Sequence, residues 1–173
     1  MKTFFLILSL VLFVCCQNNL DDVKYLYLQS ISDDYAKEIE VNYYLDGKLE
    51  FQLNAAEMNQ IKEPVEKSVF PQGVSVFVFN NHLDTIATIL ADFAVHDKTE
   101  NIVTVEKNVE LINLKNEQLH TERLFWDQGE RKIYTDDFVT INTGKQIIMG
   151  YGFVTDQAFT TYSLSDITGT IHP

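Results

Sequence analysis

The chain has 173 residues, 46% of them hydrophobic and 12% aromatic, enough to bury a sizeable core in one domain and unlike a disordered chain. Lys and Arg number 13 against 25 Asp and Glu, a formal charge of −12. That balance argues against nucleic acid, which needs clustered cations, and leaves no polybasic run for an anionic membrane surface.

Residues 1–16 differ from everything after them. Lys2 is followed by FFLILSLVLFVCC, an apolar run broken only by Ser9. At 1.5 Å per residue the run spans roughly 20 Å, short of the ~30 Å hydrocarbon core. A charged start, a short apolar stretch and small residues at its end describe a signal peptide. Both cysteines, Cys15 and Cys16, sit here, so a disulfide framework or a Cys-ligated zinc site in the rest of the chain is excluded. The run resembles a bacterial lipoprotein signal. Cys16 is then the lipidated residue, with Cys15 as the small residue before it; an uncleaved anchor or a plain secretory signal is the alternative. Residues 17–37 are polar, lack a sustained period and read as a tether, with Tyr25–Leu28 a possible short edge strand.

Residues 38–173 read as one domain. In 38–55 Ile39, Val41, Tyr43 and Leu45 alternate with polar residues, as do Leu49, Phe51, Leu53 and Ala55. Alternation marks half-buried strands, and Asp46-Gly47 between them marks a hairpin. Keeping one face apolar favours an odd loop length, with Leu45 opposite Leu49, Tyr43 opposite Phe51 and Val41 opposite Leu53. Residues 56–73 are the least regular, with Pro64 and Pro71 stopping any central strand. VSVFVF (74–79) reads as a strand buried on both faces, and Asn80-Asn81-His82 as a turn.

A repeat of about 30 residues then organises the chain. Leu119–Trp126 and Lys132–Ile141 read as two strands joined by Asp127-Gln128-Gly129-Glu130; residues 86–113 share that layout around Asp97, and 146–171 around Asp156. No stretch after the leader carries a helical period, so the fold is expected to be all-β, built of antiparallel hairpins in chain order. A parallel β-helix has shorter, more glycine-rich coils; a long curved or folded-over sheet fits better.

Catalytic patterns are missing. His82, His96, His120 and His172 lack paired metal-ligand spacing and read as surface or turn histidines, and there is no G-x-S-x-G elbow. Asp136 and Asp137, adjacent on a strand, would point to opposite faces. Gly150-Tyr151-Gly152 precedes no helix, so a bulge or close backbone approach explains it. No enzyme activity and no cofactor are expected. What remains is an apolar face: Ile89, Ala91, Phe93 and Val95 share one parity, Val103, Val105, Val109 and Leu111 another, and Ile133, Val139 and Ile141 a third. If the sheet folds onto itself this face is a core; if it stays open it is a trough for acyl chains, and a swap such as Val139→Phe would be tolerated there.

FPQGVSVFVF (70–79), ILADFAVHDKTENIVTVEKNVEL (89–111), LHTERLFWDQGERKIYTDDFVTI (119–141) and IIMGYGFVTDQAFTTYSLSDITGTI (147–171) resemble the LptC family, the periplasmic bridge component of the lipopolysaccharide export ABC transporter. The resemblance rests on L-x-T-E-x-L-x-W-D, the following I-Y-T-D and the later G-x-G-F, and covers about 38–171. It implies a curved antiparallel β-jellyroll at the periplasmic face of the inner membrane. Its partners would be lipopolysaccharide, the transporter permeases with their ATPase, and a periplasmic bridge protein joined by edge-to-edge strand pairing. Family members often begin with one transmembrane helix; the short run ending in two cysteines departs from that and points to a lipid anchor. A stand-alone lipocalin-like carrier and a structural envelope lipoprotein are the rival readings.

Overall fold

A computed structural model describes residues 34–62 and 64–171, all within one compact unit, Ser32–Pro173. The signal segment, Cys16 and the Tyr25–Leu28 stretch lie outside the described residues. Among the described residues twelve strands and no helix are formed: β1 (Asp34–Leu45), β2 (Lys48–Ile61), β3 (Lys67–Phe70), β4 (Val74–Phe79), β5 (Thr85–Ala91), β6 (Phe93–Asp97), β7 (Ile102–Asn113), β8 (Gln118–Asp127), β9 (Lys132–Thr135), β10 (Val139–Asn142), β11 (Ile147–Asp156) and β12 (Tyr162–Ile171). The all-β class read from the sequence is the class observed.

All pairings are antiparallel and belong to one sheet. β3 and β4 together occupy one place, both against β2; β5 and β6 do the same against β7, and β9 and β10 against β8. Among the described residues the sheet is thus a plain meander, β1 at one edge and β12 at the other. The interruptions fall at one level. Pro71–Gly73 separates β3 from β4, Asp92 separates β5 from β6, and 136–138 separates β9 from β10. In the unbroken strands the same level is marked by positive φ at Glu38 in β1, Lys107 and Asn108 in β7 and Gly152 in β11, and by a register shift in β7–β8 between Glu106 and Val109. Bulges and breaks bend a strand. Aligned across neighbours, they crease the whole sheet.

Gly150 and Gly152 show why the crease can close in β11. A Cβ on Gly150 would lie 2.3 Å from the Asp166 carbonyl oxygen, and one on Gly152, at φ +65, would lie 2.7 Å from Ser165 Oγ. Only glycine lets β11 and β12 approach so closely.

Folding along the crease brings two rows of turns together as lips. In one row the turn-forming side chain is asparagine. Asn80 Oδ1 accepts from the amides of His82 and Asp84, Asn113 Oδ1 from Lys115 and Glu117, and Asn142 Oδ1 from Gly144. In the other it is aspartate. Asp97 accepts from the amides of Thr99 and Glu100, Asp127 from Glu130, and Asp156 from Ala158 and Thr160. The repeat around Asp97, Asp127 and Asp156 is therefore a repeat of Asx turns at one lip. The lips touch through Phe51 and Trp126 (ring centroids 4.9 Å apart), Arg131 and Glu50 (3.1 Å), and Asn113 Nδ2, which donates to the Phe159 carbonyl (2.9 Å).

Between the lips and the crease lies the core. Val76, Val78, Ile89, Leu111, Leu119 and Ile141 come from one half of the sheet, and Val105, Leu124, Ile133, Phe153 and Phe159 from the other. Fully burying each such side chain is worth about 1.5–3 kcal/mol.

The structure corrects several local expectations. The β1–β2 loop has two residues, with Asp46 (φ 50) and Gly47 (φ 77) both left-handed as a type I′ turn requires. Leu45 faces Lys48, and a bulge at Glu50 then restores Tyr43 opposite Phe51 and Val41 opposite Leu53. β1 begins at Asp34, inside the expected tether, because its first residues already pair with Gln60 and Asn59 of β2. In β4 Val74, Val76 and Val78 are buried while Ser75, Phe77 and Phe79 are half-buried, so the strand is not buried on both faces. Asp136 and Asp137 sit in the β9–β10 break and not on a strand.

Candidate functional site

The interior is filled in the middle and opens towards β1. There a cavity of about 380 Å³ lies between the lips. Val41 and Tyr43 of β1, with Phe51 and Leu53 of β2, form one wall, and Phe70, Val103 and Trp126 form the other. Tyr43 stacks on Phe51 at 4.7 Å and Phe51 meets Trp126 edge-on, so an aromatic file leads from the mouth into the core. Lys98, Asn101 and Gln128, from turns of the Asp lip, rim the opening.

Behind Lys98, Asn101 and Gln128, the polar groups of Gln60, Ser68, His96 and Trp126 also line this space. Two are satisfied: Ser68 Oγ donates to Gln60 Oε1 (3.0 Å), and Gln60 Nε2 donates to Glu66 Oε1 (3.1 Å). The other two, His96 Nε2 and Trp126 Nε1, are buried without a partner. Burial lowers the pKa of His96, and the Lys98 cation lowers it further, so the ring is neutral at neutral pH. His96 is half-buried and faces inward, unlike the surface or turn histidine expected. The Asp92 break explains it. Ala94 and His96 pair with Val105 and Val103, so the inward parity slips by one residue between β5 and β6.

The same slip corrects Phe93. It is buried but pairs with Glu106 on the opposite face, with Lys107 Nζ 6.0 Å from its ring. Val95 turns to that opposite face as well, paired with Thr104. The remaining nine residues of the expected apolar face, Ile89, Ala91, Val103, Val105, Val109, Leu111, Ile133, Val139 and Ile141, do come together in one buried cluster. Of these, Val103 lines the cavity; Val109, Leu111, Ile133, Val139 and Ile141 are 0% exposed and close-packed behind it. Sequence reading missed Phe70, Trp126 and His96 as cavity residues. The one available signal was that Trp126 is the chain's single tryptophan, a residue that usually needs a partner for its N–H when buried.

Both sheet edges leave inward apolar residues uncovered. On β1 Val41, Tyr43 and Leu45 are 43%, 45% and 41% exposed, and on β12 Ile167 is 61% exposed. β1 and β12 do not pair with each other, so the sheet is folded over but not closed by hydrogen bonds into a barrel. The hollows on the outer side of the crease are wide and lined by carboxylates such as Glu38, Glu40, Asp92, Glu110 and Glu122, a poor surface for an acyl chain. No group of three or more His, Cys, Asp or Glu placed to hold a metal ion occurs among the described residues.

A creased antiparallel sheet with an apolar interior that opens at an edge strand defines a class of folded-over, unclosed β-fold. The chain belongs to the lipopolysaccharide-assembly, LptC-related family, whose profile matches residues 6–171. Membership gives it a role in lipopolysaccharide transport, within a family of transport bridge proteins that are periplasmic and associated with the inner membrane. No curated protein matches the chain.

Proposed function

We propose that this chain is one segment of a lipopolysaccharide bridge. It accepts the lipid from the inner-membrane ABC transporter and passes it along the apolar inner face towards the outer membrane. The observation that carries this reading is the mouth at β1, a long edge strand paired on one side only among the described residues, which presents Val41, Tyr43 and Leu45 inward and half-exposed. A strand added to that edge by a neighbouring bridge protein would extend both the hydrogen-bond ladder and the apolar face. The β12 edge, with Ile167, offers the same at the other end.

Beyond the cavity the interior is closed by packed side chains. Passage therefore requires the lips to part, so that Val103, Val105, Val109, Leu111, Ile133, Val139 and Ile141 exchange contacts with one another for contacts with acyl chains. The Arg131–Glu50 pair across the lips is exposed, a kind worth about 0–1 kcal/mol. ATP hydrolysis in the partner ATPase supplies the work. A lipid on Cys16 would tether the chain to the inner membrane, which mass spectrometry of the mature N-terminus tests; an intact Met1 rules it out.

Photocrosslinking in cells tests the transport reading. A photoreactive residue at Tyr43 or Val103 should capture lipopolysaccharide, whereas one at Phe125, stacked on Tyr134 and paired with it on the outer face, should not. Equal background capture at all three positions would sink the proposal.

A further inference from the structure

The turn between β11 and β12 closes the interior at the far end from β1, and it is built unlike its two sisters on the same lip. In the Asp97 and Asp127 turns the left-handed residue comes fourth after the aspartate, at Asn101 (φ 56) and Arg131 (φ 54), both exposed. After Asp156 it comes third, at Phe159 (φ 51), which is 0% exposed. A bulky side chain seldom adopts that backbone, so the turn holds strain that its surroundings must enforce.

They enforce it by hydrogen bonds. Asp156 Oδ1 accepts from the amides of Ala158 and Thr160, each at 3.0 Å, and the Phe159 amide donates to the Asp156 carbonyl (3.0 Å). From the opposite lip Asn113 Nδ2 donates to the Phe159 carbonyl (2.9 Å). The ring lies against Phe153 (centroids 5.7 Å apart) and Tyr162 (5.4 Å). It stands at a boundary. Phe153 and Phe159 are sealed, whereas Leu164, opposite Phe153 on β12, is half-buried and Ile167 is 61% exposed.

Beside the ring lies a hollow of its own size. About 160 Å³ in volume, it is lined by Asn113, Leu114 and Ile86 on one side and by Ala158, Phe159 and Thr160 on the other. A cavity of about 150 Å³ is enough to hold benzene. Leu114 is 64% exposed there, so a ring entering the hollow would cover apolar surface now left to water.

We propose that Phe159 is a gate between the packed interior and the β12 edge. Closed, its ring sits on Phe153 and Tyr162 and its carbonyl is held by Asn113. Open, the ring lies in the hollow beside Ile86 and Leu114, Asn113 lets go, and φ relaxes to negative values. Acyl chains reaching Phe153 favour the open position, because they take over the contacts that the ring gives up. The proposal rests on the reading of the inner face as a lipid path and names the residue that controls its far end.

Leu114→Trp fills the hollow from an exposed position, away from the core. In cells, a photoreactive residue at Tyr43 should capture lipopolysaccharide in this variant as in the parent, while capture by one at Ile167 should fall at least about fivefold. Phe159→Gly suits the left-handed φ and removes the ring. In the Leu114→Trp background it should restore capture at Ile167, since nothing then needs the hollow. Fluorine NMR decides if the glycine variant fails to fold. Purified, delipidated full-length protein with para-fluorophenylalanine in place of Phe159 should give two resonances, the minor one at up to about a tenth of the signal. Added lipopolysaccharide should make the minor resonance the major one, and Leu114→Trp should abolish it. One resonance with and without lipid would overturn the gate and leave the lipid path intact. So would capture at Ile167 that Leu114→Trp leaves unchanged, or that is lost together with capture at Tyr43, or that a folded glycine variant fails to restore. Absence of capture at Tyr43 in the parent, with both resonances present, would instead remove the transport reading.

Discussion

Val139→Phe discriminates a filled interior from an open one. Val139 is 0% exposed and sits on β10 opposite Gly150 of β11, inside the packed cluster. A phenyl ring there has no free space to enter, so neighbours must leave their rotamers or the backbone must shift. Overpacking of this kind costs about 1–3 kcal/mol. For a domain between 100 and 150 residues each kcal/mol moves the melting temperature by about 3–5 °C, so a drop of about 3–15 °C is expected. The control is Val41→Phe at the mouth, where the native side chain is 43% exposed and the added ring can project outwards. It should change stability by less than about 0.5 kcal/mol. Circular dichroism melts of lipid-free protein read both. A melting temperature for Val139→Phe within a degree of the parent would show an open trough behind Val139, contrary to the packing described.

Other consequences follow from single residues. Gly152→Ala forces a Cβ onto Ser165 at a left-handed φ and should cost more than about 1 kcal/mol in a urea titration. Asp156 titrates below the ordinary carboxylate range: burial pushes its pKa up, but hydrogen bonds from the Thr160 hydroxyl and amide and from the Ala158 amide pull it down further. Its folded pKa is thus depressed, so its stabilising contribution is present above the unfolded value of about 3.9 and is lost as pH falls through the folded value. Asp156→Asn should flatten that acid limb in urea midpoints measured from pH 6 to pH 2, and an unchanged slope would refute the assignment. Leu45→Lys, on the exposed edge, should leave the melting temperature unaltered while lowering lipopolysaccharide capture at Tyr43; normal capture would show that the β1 edge is not the entry.

Much of this fold was legible because alternation survives local irregularity. Val41 and Tyr43 do oppose Leu53 and Phe51, the Asp97, Asp127 and Asp156 turns do repeat, and Gly150 and Gly152 do mark a close approach. What escaped are single-residue events. The Glu50 bulge and the Asp92 break each move the parity of a strand by one without altering its composition. For that reason the loop length was misjudged, Phe93 was assigned to the wrong face and His96 was overlooked. Closure of the interior was also hidden, since it depends on contacts such as Arg131–Glu50, 81 positions apart, which no periodicity encodes.

The meander has a consequence for the order in which the molecule forms. Every strand pairs only with its neighbours in the meander, so hairpins can add one after another, each closing a short loop. The contacts between the lips span much longer stretches, 81 residues for Arg131 with Glu50 and 46 for Asn113 with Phe159. They become affordable only when the sheet already exists. The mouth is therefore the last part to assemble and the first to come apart, and it can gape while the ladder of strands beneath it stays whole.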